Sequence, residues 1–244
     1  MKKALVITGE GLNCESETAH ALKRAGADAE IKHIRDLIDQ PESLQNYRIL
    51  AICGGFSYGD HLGAGTALAL QLQLNLSNEL RQFVDEGKPL IGICNGFQVL
   101  LKLGLLEDYS PIDASLTWNE EGKFINRWIK VSASPSNCLW TRNLTQFDLP
   151  IRNGEGRFYS MNKDQIEQLR LNQQVALEYV DQNPNGSHGM IAGLCNLRGN
   201  VLGLMPHPEA AVYNWQVPMW RLYGLNPKGQ GPGLQMFINA VEAA

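Results

Sequence analysis

No run of apolar residues in this chain approaches the length needed to span a bilayer, and the start, Met1-Lys-Lys-Ala-Leu-Val-Ile-Thr-Gly9, passes directly into a short strand-like segment. A membrane protein and a secreted one are both disfavoured, and a cytosolic location is expected. Positive charge is also in short supply: 21 Lys and Arg stand against 25 Asp and Glu, a formal net charge of −4. That balance gives no electrostatic reason to bind nucleic acid. The five cysteines, Cys14, Cys53, Cys94, Cys138 and Cys195, are odd in number and contain no C-x-x-C pair. Neither a disulfide framework nor a zinc site is suggested. His20, His33, His61, His188 and His207 lack the H-E-x-x-H spacing, so no metal is expected. There is also no G-K-[ST] of a P-loop, and the glycine-rich loop at 54–65 does not read G-x-G-x-x-G, which disfavours a nucleotide cradle.

What the chain does have is an alternation of apolar strands and amphipathic helices. At 244 residues with 44% hydrophobic content, a single domain over 1–244 is the default expectation. Strands are expected at Ala4–Ile7, Ala29–Ile34, Tyr47–Cys53 and Leu90–Ile93, with helices at Cys14–Ala25 and Ala67–Glu86 and a polar connection around Pro41. Uninterrupted apolar strands such as Arg48-Ile-Leu-Ala-Ile-Cys53 belong to parallel sheets covered on both faces. The predicted fold is therefore α/β, a doubly wound, mostly parallel open sheet flanked by helices. From Asp113 to Tyr159 helical periodicity gives way to β-branched residues, aromatics and turns, read as antiparallel additions at the sheet edge. A helix at Lys163–Leu171, strands at Val175–Val180, Met190–Asn196 and Val201–Met205, and a closing helix at Leu234–Glu242 complete the pattern.

The stretch Pro89-Leu-Ile-Gly-Ile-Cys-Asn-Gly-Phe-Gln98 reads as strand, sharp turn and helix around Cys94. Its G-x-C-x-G form is a thiol counterpart of the G-x-S-x-G nucleophile elbow. Free N–H groups at the start of the following helix favour negative charge at the sulfur. A thiol nucleophile needs a base, which can come from anywhere in the sequence. His207 is the best candidate, because it lies just past a strand in Met205-Pro-His-Pro-Glu209, where flanking prolines stiffen the backbone. Glu209 could accept from its other ring nitrogen and fix the tautomer. The glycine-rich loop Cys53-Gly-Gly-Phe-Ser-Tyr-Gly-Asp60 could aim backbone N–H groups at an oxyanion, together with the N–H of Asn95. His61 lies in the same loop and stays open as a further candidate.

Four motifs in order, GGFSYGD at 54–60, GICNGFQ at 92–98, NGEGRFY at 153–159 and LGLMPHPE at 202–209, make the chain resemble the class I (triad) glutamine amidotransferases. More narrowly, the resemblance is to the glutaminase subunits of phosphoribosylformylglycinamidine synthases. It implies a flavodoxin-like sheet and a thioester mechanism on L-glutamine with Cys94, His207 and Glu209 as the triad. By the same resemblance Gly55 and Asn95 match the oxyanion-hole positions, while Gly54 and Gln98 border the substrate. It implies no cofactor in this chain, with ATP and Mg2+ used by a synthetase partner (PurL) and a small PurS-like subunit in some complexes. The chain contains no ATP-binding synthetase segment and is expected to be one subunit of an assembly, docking through 212–232 and 119–128. Two departures from the stand-alone members are Asn153 in place of His and Ala210 in place of Arg. A glutaminase of another biosynthetic pathway and a catalytically silent scaffold are the alternatives.

Overall fold

A computed structural model describes residues 1–106 and 113–244. Its centre is set by strands that carry no polar side chain and are buried along their whole length. The chain runs β1 (Lys3–Thr8), α1 (Glu15–Arg24), β2 (Asp28–His33), α2 (Ile34–Asp39), β3 (Ile49–Ile52), α3 (Thr66–Asp85), β4 (Leu90–Ile93) and α4 (Asn95–Lys102). It continues through β5 (Ala114–Trp118), β6 (Ile125–Ala133), β7 (Gln146–Asn153), β8 (Glu155–Ser160), α5 (Lys163–Leu171), β9 (Val175–Tyr179), β10 (Ile191–Cys195), β11 (Val201–Leu204) and α6 (Leu234–Ala243).

Nine strands form one sheet in the order β2-β1-β3-β4-β11-β10-β9-β6-β7. The first five are parallel to one another and the remaining four join antiparallel. The parallel half is doubly wound, and strand order reverses at β1 and β3, where such sheets bind ligands outside the carboxyl ends of their strands. Ile49–Ile52, Leu90–Ile93 and Val201–Leu204 are fully buried. The helices press onto them through Leu72, Leu76, Phe83, Phe97 and Phe237 among others.

Two expectations need correction. The connection before Pro41 contains a short helix, α2, because Ile34 and Leu37 pack into the core and the His33 side chain caps Arg35 N–H at 3.2 Å. Six residues are too few to hold a helix without such packing. The antiparallel additions are also not all on the sheet edge. β6 and β7 are, but β8 leaves the sheet to pair with β5 as a separate two-stranded ribbon. The 119–128 segment is a turn up to β6, not a continuous strand.

Candidate active site

Cys94 follows the carboxyl end of β4 and opens α4, with φ 52° and ψ −103°, a backbone conformation costly for a residue with a side chain. The strain is held by its surroundings. Cys94 N–H donates to Leu204 O at 2.8 Å, and the turn is tight because a side chain on Gly96 would run into the carbonyl of Ile52. The spacing of glycines around Cys94 thus reflects close approach of three segments, β3, β4 and α4. The thiol itself donates to Arg152 O at 3.7 Å across from β7.

His207 is carried on the loop after β11, the strand adjacent to β4, and its backbone N–H donates to Pro150 O at 2.9 Å. Glu209 is two residues on, in a single 3-10 turn begun by Pro208. His207 Nδ1 and Glu209 Oε1 stand 2.6 Å apart, and both residues are only 2% exposed. His207 Nε2 and Glu209 Oε2 are buried with no hydrogen-bond partner among the described residues. The thiols of Cys14 and Cys94 interact with the imidazole. Burial opposes the imidazolium, but the Glu209 charge, together with interactions from Cys14, Cys94 and Glu209, outweighs it and holds the His207 pKa well above its ordinary value.

Gly54 sits between these groups. A Cβ built on it would lie 3.0 Å from His207 Cε1 and 3.4 Å from both Cys14 Sγ and Cys94 Cβ. Gly55 has φ 145°, outside the range of ordinary L residues, and packs its α-carbon against the Gly11–Leu12 backbone. That arrangement commits Phe56 N–H to Gly11 O and Asn13 N–H to Gly54 O. The N–H groups of Gly55 and Asn95 receive no acceptor among the described residues. Two uncommitted donors beside a strained thiol can stabilise an oxyanion.

A cavity of about 310 Å3 opens over Cys94, large enough for a small polar molecule. Gly55, Gln98, Asp60, Arg152 and Glu155 line it, with Phe56, Trp118 and Phe124 forming an apolar part of the wall. Gln98 is buried and fixed, accepting from Asn95 Nδ2 at 2.8 Å and donating to Glu155 O at 2.5 Å. Asn95 Nδ2 also donates to Asp60 Oδ1 at 3.1 Å, so the residue after the nucleophile ties the glycine-rich loop to α4. Burial pushes the Asp60 carboxyl above its usual range, against the Gly65 N–H and the Asn95 amide.

The structure therefore gathers Cys94, His207, Glu209 and Gly54 into one cluster, with Gly55, Asn95 and Gln98 beside it. His61 is exposed and does not line the cavity. Sequence reasoning missed Cys14, Asp60, Arg152 and Glu155 as members of the site. Asp60 and Glu155 were inside quoted motifs, while Cys14 gave only one signal, its place just after the glycine turn that ends β1.

The matching family is described as the CobB/CobQ-like glutamine amidotransferase domain, over residues 1–242. The chain belongs to the glutamine amidotransferases. It is 40% identical to phosphoribosylformylglycinamidine synthase subunit PurQ of Methanococcus maripaludis, over 98% of this chain and 97% of that protein. PurQ of Treponema denticola is 42% identical, over 85% of this chain and 87% of that protein. A solved structure described as PurLQS from Thermotoga maritima superposes with a TM-score of 0.77 at 30% identity, covering 99% of this chain and 98% of that one.

Proposed function

We infer that this chain is the glutaminase subunit of phosphoribosylformylglycinamidine synthase, acting as one domain in the cytoplasm and supplying ammonia to a PurL-type synthetase. The observation that carries this reading is the buried Cys94–His207–Glu209 cluster beside a cavity that Asp60, Gln98, Arg152 and Glu155 help to line, in a chain alike over almost its full length to PurQ proteins.

The geometry suits amide hydrolysis. Glutamine enters the cavity side chain first, with its carboxamide over Cys94 and its charged end toward Arg152, Asp60 and Glu155. Arg152 offers a cation for the α-carboxylate, and the two acids offer charge for the α-ammonium. The Cys94 sulfur attacks the carboxamide carbon with its proton passed to His207, whose charged form the Glu209 carboxylate favours. The developing oxyanion is met by the free N–H groups of Gly55 and Asn95, and each such donor is worth about 10²- to 10³-fold in turnover. His207 then gives its proton to the departing ammonia. Its raised pKa suits that task, because the imidazolium persists until the leaving group needs it. Water, activated by the now neutral imidazole, cleaves the γ-glutamyl thioester to glutamate. Gln98 keeps the Glu155 backbone in place beneath the substrate, and Gly54 leaves room for His207 to face Cys94.

Docking falls to surfaces near the cavity mouth and the C-terminal loop. Trp118 and Phe124 are exposed at the rim, and Trp215, Met219, Leu222 and Tyr223 are exposed within 212–232. We assign these apolar side chains to contact with the synthetase, which uses ATP and Mg2+, and with a PurS-like subunit where one exists. The test is reconstitution. Glutamine hydrolysis by the isolated chain is expected to rise at least tenfold when the synthetase is added with ATP and formylglycinamide ribonucleotide, with the amidine formed in step. Unchanged hydrolysis and no amidine would overturn the assignment to this pathway.

A further inference from the structure

Away from the catalytic cluster, one buried side chain holds together the wall against which a substrate in the cavity must lie. Four consecutive residues at the junction of β7 and β8, Arg152, Asn153, Gly154 and Glu155, line that cavity. Asn119, the first residue after β5, reaches the junction from behind and is not itself among the lining residues. It is 2% exposed, and its amide is fully engaged: Nδ2 donates to Asn153 O and to Lys123 O, each at 2.8 Å, while Oδ1 accepts from Gly156 N–H at 3.2 Å. Its backbone N–H donates to Gly154 O at 2.9 Å. One residue therefore grips the substrate-facing turn at both ends. A second amide closes the grip, since Asn185 Nδ2 donates to Gly156 O at 2.7 Å and Glu120 N–H donates to Asn185 O at 3.0 Å.

We propose that Asn119 is a positioning residue for glutamine: by fixing the turn at 153–156 it places the groups that receive the substrate's charged end, while touching neither substrate nor thiol. This deepens the proposed glutaminase reading and rests on it. The residue type follows from the chemistry, because two carbonyls and one N–H converge on a single short side chain, and a neutral amide supplies two donors and an acceptor at once. The hold extends through Glu155. Its carbonyl accepts from Gln98 Nε2 and its carboxylate accepts from Ala64 N–H at 3.3 Å, so the turn, α4 and the glycine-rich loop share one frame. Truncating Asn119 to Ala leaves Asn153 O and Gly156 N–H without that partner in a buried place, and buried groups stripped of a partner rearrange or admit water. Arg152 and Glu155 then lose their fixed placement. The loss falls on binding, because the Cys94 elbow is held separately, by Leu204 O and by the close approach of Gly96 to Ile52.

The test compares two reagents for Cys94 on the reconstituted complex: the diazoketone analogue of glutamine, which carries the charged end, and iodoacetamide, which lacks it. In Asn119→Ala the analogue concentration for half-maximal inactivation is expected to rise about tenfold to a hundredfold, while the limiting rate at saturation and the alkylation of Cys94 by iodoacetamide change less than about threefold. The KM for glutamine should rise in parallel with kcat nearly kept. Asn119→Asp keeps an acceptor for Gly156 N–H but, ionised, offers the two carbonyls no donor; it should raise the same concentration, and it carries the test where the Ala variant fails to fold. Circular dichroism checks folding. A general packing defect would show itself differently, by opening the buried Cys14, Cys53, Cys138 and Cys195 to iodoacetamide. Half-maximal concentrations within about threefold of the parent in the folded variants, or alkylation of those four cysteines accompanying the loss, would overturn the positioning role and leave the glutaminase reading intact. Absence of labelling by the analogue in the parent complex would overturn the glutaminase reading, and the positioning role with it.

Discussion

Replacing Cys94 by Ser is expected to lower glutamine-dependent activity by about 10⁴-fold or more, because the hydroxyl is a far weaker nucleophile than the thiolate and removing the nucleophile of such a unit removes most of its function. The same variant should leave ammonia-dependent amidation by the complex nearly unchanged, since the synthetase then receives its nitrogen from solution. The structure predicts little disturbance, for the strained turn at 94 is held by the Leu204 carbonyl and by the absence of a side chain at Gly96, neither of which depends on sulfur. Assays with glutamine and with ammonium salts, run side by side on the reconstituted complex, check this split. Loss of both activities would point to an assembly defect, and retention of both would remove Cys94 from the chemistry.

Glu209→Gln carries the second large effect. The folded His207 pKa lies above the ordinary value, so the stabilisation from its charged form is fully present below about pH 6.5 and is lost as pH rises through the folded value. A neutral Gln removes the attraction while the opposing effect of burial stays. The His207 pKa should therefore fall, and the stability lost by the parent protein as pH rises should shrink in the variant. Turnover should drop by about 10²- to 10⁴-fold, as in other triads deprived of their carboxylate. Imidazole NMR titration gives the pKa and chemical denaturation against pH gives the stability limb. An unmoved His207 pKa in the variant would show that Glu209 does not govern the imidazole.

Much of this was readable in the chain because the parallel half of the sheet uses short, wholly apolar strands. β1, β3, β4 and β11 appear where their aliphatic runs predict, and the expected helix at Lys163–Leu171 has the observed limits of α5. The elbow was legible because only small residues fit on either side of Cys94, and His207 because two prolines frame it after a strand. The ribbon of β5 and β8 was not legible. Its strands are partly exposed and alternate imperfectly, and a register shift lies between Thr117 and Trp118, so local pattern alone does not say which partner each strand takes. That ribbon, through Trp118 and Glu155, supplies a wall of the cavity. Cys14 was hidden for a different reason: its meaning comes from meeting residues 193 positions away, a contact set by strand order and not by spacing. The two departures from the stand-alone members fall differently. Asn153 is buried on the cavity wall with neither side-chain atom bonded among the described residues, whereas Ala210 is half-buried in the turn beyond Glu209.

The most direct measurement is mass spectrometry of the chain after exposure to an electrophilic glutamine analogue, alone and with the synthetase. One adduct is expected, on Cys94, absent when glutamine is in excess and strongly slowed in His207→Ala. Labelling of a different cysteine, or no labelling in the active complex, would contradict the assignment of Cys94 as the group that attacks the carboxamide.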